Sequence, residues 1–244
     1  MDITFQRTGN LKEIASYPAW LGEVLDDTAD LKQRIVNHPV IAAMSEARLE
    51  EQQAQAFLIN GWPVVEQFPQ YMAMNLQKLR YGGSRGHELA RRYLTRNIRV
   101  EQRHAEYWTD WAAAHGVSER ALMMQSRPSA AYSLSHWCWK SSNADPLAVS
   151  IAATNYAIEG VTGEWTSLVC GAGKYTASFP ESVRQKATYW LRLHAHYDDE
   201  HPWEALEIVA TLLGRDPQRS EIEAVRQAIQ MSFEYYKVSL DCCL

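Results

Sequence analysis

Proline and glycine punctuate this chain at 18, 39, 61–63, 82–83, 116, 128, 146, 171–173, 180, 214 and 217. The segments between these breakers repeat their apolar residues with helical period. No run alternates Val, Ile and Thr in the manner of a strand. A chain patterned this way is confined to the all-α class. The pattern predicts helices over 19–37, 46–60, 63–80, 84–115, 118–125, 128–141, 146–170, 180–213 and 218–241. Ser84 and Ser118 stand where N-caps belong, with Glu88 and Glu119 in the first turns. Gly116 and Gly214 sit at C-terminal stops, and Pro146 and Pro217 suit first-turn positions. No Pro/Ser-rich linker, low-complexity tract or fixed-period repeat divides the chain, so residues 1–244 read as a single-domain helical bundle.

The chain is long enough for a sizeable core, and its 46% hydrophobic and 22% charged residues are ordinary for a globular protein. The net charge of −5 does not point to a nucleic-acid partner. No uninterrupted apolar run of about 18 residues predicts a membrane span. The opening "MDITFQRTGN" lacks a secretory pattern. Cys138, Cys170, Cys242 and Cys243 show no C-x-x-C spacing. That argues against a zinc site or disulfide framework and leads us to expect a cytoplasmic protein, with the vicinal tail pair incidental. The surface pattern shows no large apolar seam, and a monomer is expected.

Ionisable residues interrupt this regular picture in three places. "LRLHAHYDDEHPWEAL", 191–206, packs three histidines and four acids among apolar residues. At about 100° per residue, Asp198 lies about 40° and His201 about −20° from His194. All three share a stripe with Trp190, Leu191, Ile208 and Val209. His196, Asp199 and Glu200 turn to the other side. In "NIRVEQRHAEYW", 97–108, Glu101 and His104 share the stripe of Leu94, Ile98 and Trp108, while Glu106 falls off it. In "ATNYAIEGVTGEW", 153–165, Glu159 lies with Asn155 and Ile158, while Glu164 is rotated away.

Buried carboxylates and imidazoles are costly unless they bond to one another or hold a cation. Taken singly, each group fits a surface pair or a buried hydrogen-bond network. Together, three carboxylates and three imidazoles from three helices form the ligand inventory of a non-haem di-iron or di-manganese site, and the lack of thiolates argues against structural zinc. A ferritin-like layout would pair Glu101/His104 and Asp198/His201 with Glu159 and Glu66, leaving His194 unused. A second layout uses all six residues without Glu66. Pro202 predicts a kink or break beside the last cluster.

The H-x-x-x-D-x-x-H of 194–201, the lone mid-helix Glu159 and the earlier E-Q-R-H of 101–104 resemble the haem-oxygenase-like non-haem di-iron oxidases and decarboxylases. "HAHYDDEHPW", 194–203, strengthens the likeness, which covers most of the chain. The resemblance implies a haem-oxygenase-type helical domain. It implies that Glu101, His104 and His194 form the firmer iron site and are catalytic. Glu159 would bridge or serve a second iron, completed by Asp198 and His201. Where many relatives place a first Glu, this chain has Asn97, a poor anionic replacement, which implies a weakly held second iron.

The implied cofactor is Fe(II), one or two ions, with O2 as co-substrate and an external electron donor as reductant. The implied activity is oxidative decarboxylation of a medium-chain fatty acid, dodecanoic acid, to 1-undecene and CO2 through loss of a β-hydrogen. Trp108, Asn155, Ile158 and Trp190 lie near the proposed ligands and are candidates for the substrate pocket, although ordinary core packing is the simpler account of such residues. Other oxidases of the fold, N-oxygenating or C–C cleaving, remain alternatives. So do metal-free thiaminase-II-like hydrolases or quinone-cofactor synthases, which would need an active-site Cys or a polar pocket. A haem oxygenase would need a proximal His, for which His38 is the nearest candidate. A helical adaptor would hold no metal at all.

Overall fold

Apolar residues spaced three and four apart fold into helices wherever a stop does not intervene. A computed structural model describes residues 4–80, 82–197 and 200–244, with Tyr197 described by its backbone only. The helices are α1 (Ala19–Val36), α2 (Pro39–Ser45), α3 (Glu51–Gln77), α4 (Arg85–Glu101), α5 (His104–Ala114), α6 (Glu119–Met124) and α7 (Ser133–Ala144). There follow α8 (Leu147–Ile151), α9 (Glu159–Ala172), α10 (Lys174–Ser178), α11 (Glu181–Ala187), α12 (Tyr189–Tyr197), α13 (His201–Leu213) and α14 (Arg219–Asp241). A π-helical stretch, Ala152–Ile158, joins α8 to α9. Among the described residues there is no strand. The buried side chains form one connected core, and the fold is a single all-α domain.

Local chemistry accounts for the helix ends. The Ser118 hydroxyl accepts from Ala121 N–H at 3.2 Å, and the His38 ring accepts from Val40 N–H at 3.3 Å. His38 therefore stands at the start of α2, and its Nε2 faces Asp241 at 3.0 Å. Ser84 precedes α4 as expected, without a side-chain cap bond. Gly116 and Gly214 follow α5 and α13 with φ of 70° and 86°, the left-handed region in which a side chain is strained. Pro146 and Pro217 lie just before their helices rather than within the first turns.

The periodicity reading lacks α2 and α10 and starts α7 too early; four further differences stand out. First, the helix expected over 46–60 begins only at Glu51. Second, no break occurs at 61–63: α3 runs through both Pro63 and Pro69. A proline removes the N–H that would bond the carbonyl four residues back. Here Arg127 Nε donates to that carbonyl, Ile59 O, at 2.7 Å, so the deficit at Pro63 is met from outside the helix.

Third, the helix expected over 84–115 is interrupted at Gln102 and Arg103. There the backbone tightens, with Arg103 N–H bonding Val100 O at 3.1 Å. Fourth, the helix expected over 180–213 is divided into α11, α12 and α13, and α13 restarts at His201 with Pro202 in its first turn. Pro202 thus marks a break, as anticipated, and is tolerated where its missing N–H costs nothing.

Candidate metal centre

The interruption of α4–α5 lies between the two residues of the first candidate pair. Glu101 ends α4 and His104 opens α5, and both are buried. Glu101 Oε2 lies 2.7 Å from His104 Nδ1, yet the pair lacks hydrogen-bond alignment. His104 Nε2 is also buried without a hydrogen-bond partner. The His104 and His194 rings stand 4.6 Å apart.

His194 belongs to α12. Its Nδ1 lies 2.7 Å from Trp190 O, so that nitrogen carries the proton and donates to the carbonyl. The arrangement leaves Nε2 with a free lone pair, the tautomer of an imidazole ligand. Burial, followed by the neighbouring His104, holds the His194 pKa well below its ordinary value, so the ring is neutral. Its face stacks on Trp190 at 3.7 Å between centroids.

Glu159 follows the π-helical stretch, a distortion that re-aims side chains and recurs at functional sites. Asn155 Nδ2 donates to Glu159 Oε1 at 2.7 Å, and Tyr93 Oη donates to Oε2 at 3.4 Å. Burial and the Glu159 charge push the Tyr93 pKa well up, so the phenol remains a donor. His201 Nδ1 lies 3.7 Å from Glu159 Oε2. Burial is the main cause lowering the His201 pKa. Asp198 lies outside the described residues.

Glu101, His104, Glu159 and His194 line one small cavity of about 80 Å³. The remaining walls are mostly apolar, from Phe57, Val64 and Phe68 on α3 to Leu240 on α14. Trp108, Ile158 and Trp190 also line it. Asn155 is not one of its walls, and its role visible here is to hold Glu159. The exposed His196, Glu106, Glu164 and Glu200 lie away from the cluster, as helix phase predicts. Glu66 lines a separate surface depression with Gln67 and Trp139, so the ferritin-like layout lacks its fourth acid. Asn97 is fully buried, and its amide nitrogen has no hydrogen-bond partner.

Sequence reasoning missed the α14 wall. Tyr236, Ser239, Leu240 and Cys243 recur at helical spacing and line the cavity, so Cys243 is not incidental. Burial pushes its thiol up to about 11. Gly61 does not break α3. A Cβ there would stand 2.8 Å from Trp108 Cζ2, so the glycine makes room for the indole.

Oxygen and nitrogen donors without thiolate suit iron, and the orphaned His104 nitrogen is the kind of buried atom an ion would satisfy. Among the described residues, however, no three His, Cys, Asp or Glu side chains are drawn together as ligands of one ion. The donor chemistry fits, in a looser arrangement than a closed coordination shell. The sequence model of the iron-containing redox enzymes matches residues 55–236.

The chain belongs to this family.

A TenA homologue from Pseudomonas syringae pv. tomato strain DC3000 is 49% identical over 98% of each chain, with a TM-score of 0.96. A protein described as a TenA-like thiaminase, from Sulfolobus solfataricus P2, shares the fold at 13% identity and a TM-score of 0.63, over 91% of this chain and 95% of its own. A 4-aminobenzoate synthase of Chlamydia pneumoniae is 24% identical over 89% of this family member and 93% of its own length. Among the described residues, no helix is long and apolar enough to cross a membrane.

Proposed function

We propose that the cavity is the active site of an iron- and O2-dependent oxidase, and that its reaction is oxidative decarboxylation of a medium-chain fatty acid such as dodecanoic acid to a terminal alkene and CO2. The observation that carries this reading is a buried carboxylate–imidazole set opening onto a cavity that is otherwise mostly apolar. Glu101, His104 and His194 would hold one iron; Glu159 and His201, with Asp198 assigned from sequence alone, would hold a second. Bound iron supplies open positions for O2 and a substrate carboxylate together with the redox chemistry.

The chain's own residues do the rest. Neutral His194 offers a lone pair without first losing a proton. Asn155 and Tyr93 orient the Glu159 carboxylate through both of its oxygens. The aromatic and aliphatic walls exclude water and favour an alkyl tail over a polar one.

A second reading is a metal-free TenA-like hydrolase. By name, the solved relatives support it better than the first. The cavity chemistry weighs the other way. Its Cys243 thiol is held protonated by burial and donates to Ser239 O at 3.5 Å. A nucleophilic cysteine needs thiolate character.

One experiment separates the two readings. Protein loaded anaerobically with ferrous iron is exposed to O2, a reductant and C10–C14 acids, and the headspace is assayed for alkenes. In parallel, metal-free protein is given thiamine. Iron-dependent alkene release is expected; thiamine cleavage without iron, and no alkene, would overturn the proposal.

A further inference from the structure

Behind His194 lies an aromatic column that ligand binding does not require. Trp190 stacks on His194 and also stands 5.7 Å from Trp111 at an interplanar angle of 27°. Trp111 is fully buried, and its Nε1–H donates to Tyr175 Oη at 3.0 Å. Tyr175 Oη lies 2.9 Å from His115 Nε2, and His115 Nδ1 lies 3.3 Å from Glu51.

The donor inventory fixes the direction of each bond. An indole N–H only donates, so the phenol oxygen accepts from Trp111 and gives its own proton to His115 Nε2. His115 Nε2 is then bare, and Nδ1–H points to the Glu51 carboxylate. The His115 side chain is 12% exposed and that of Glu51 is 61% exposed, so the column ends at the surface. Hydrophobic packing explains stacked rings. It does not explain a buried phenol paired with a base and an acid.

Indole and phenol are the most easily oxidised side-chain rings, and rings in contact exchange electrons readily. We propose that Trp190, Trp111 and Tyr175 form a radical relay that carries a one-electron oxidising equivalent from the His194 side of the cavity to the surface at His115 and Glu51. The purpose of the relay rests on the iron-oxidase reading above; the transfer itself does not. An oxidised centre at the cavity would take the first electron from Trp190. Trp111 then reduces the Trp190 radical cation, and Tyr175 reduces that of Trp111 as the phenolic proton passes to His115. A soluble thiolate or similar one-electron donor reduces the tyrosyl radical, and His115 returns the proton. The net result is one electron from the donor to the centre. An equivalent left without substrate is thereby drained instead of damaging the site.

The test uses metal-free full-length protein. A short ultraviolet flash ejects electrons from tryptophans, buried ones included, and transient absorption follows conversion of tryptophanyl to tyrosyl radical. A first-order, concentration-independent tyrosyl phase is expected in the wild type. Tyr175→Phe should remove the component that passes through Trp111, leaving any from Trp165 to Tyr236, and Tyr235→Phe, whose ring lies beside Trp137 outside the column, should leave that component unchanged. Partly exposed His115→Gln, which spares the core, should slow it at least about tenfold. Wild-type kinetics in both Tyr175→Phe and His115→Gln, or no such phase in the wild type, would overturn the relay. Failure to bind iron would instead sink the proposed reaction while this transfer still stood.

Discussion

At the scale of single residues, two histidines two positions apart have opposite environments. His194 is buried, neutral and tied to Trp190 O, whereas His196 is exposed. His194→Ala is therefore expected to remove iron binding, measured as metal per chain after ferrous loading and desalting. His196→Ala should leave the iron content unchanged and shift stability by less than about 0.5 kcal/mol. The reverse pattern would show that the ligand assignment has the wrong phase. That phase was legible because a helix repeats its direction and because Glu106, Glu164 and His196 supplied outward-facing counterparts. Not every partner of the proposed ligands was legible. Asn155 stands one turn before Glu159 on the same stripe, but Tyr93 meets Glu159 from another helix, and nothing in its own neighbourhood announces it.

Elements were readable where local chemistry decides them and unreadable where tertiary contacts intervene. Caps at Ser118 and glycine stops at 116 and 214 follow from backbone requirements. The passage of α3 through Pro63 does not, because the compensating donor is Arg127, 68 residues away from Ile59. Arg127 also bonds Leu122 O. Arg127→Met should leave buried carbonyls without this donor and cost about 1–3 kcal/mol. The thermal midpoint should fall by about 2–4 °C for each kcal/mol. An unchanged midpoint would mean that α3 carries its proline without outside help. The π-helical stretch before Glu159 was equally hidden, since periodicity cannot distinguish it from regular helix over a few residues.

For the molecule as a whole, the all-α class and single domain were plain from breakers and period, but the cavity was not. Its walls come from α3, α4, α5, α7, α9, α12 and α14, and its width depends on Gly61 beside Trp108. A ligand that fills this space binds the folded state alone, so it should stabilise the protein by mass action. Dodecanoate at about 100 times its dissociation constant should add roughly 2.7 kcal/mol. Thermal melts of the metal-free protein with dodecanoate, and with a thiamine-derived pyrimidine, provide the comparison. A shift with the pyrimidine alone would favour the TenA-like reading.

The junction between α4 and α5 carries the proposed first ligands on its two sides, Glu101 closing one helix and His104 opening the next. An ion gripped by both would span the seam like a rivet. Loading and unloading it would then be felt as stiffness along α4 and α5, registering as altered amide exchange at residues 99–107 well beyond the ligands themselves.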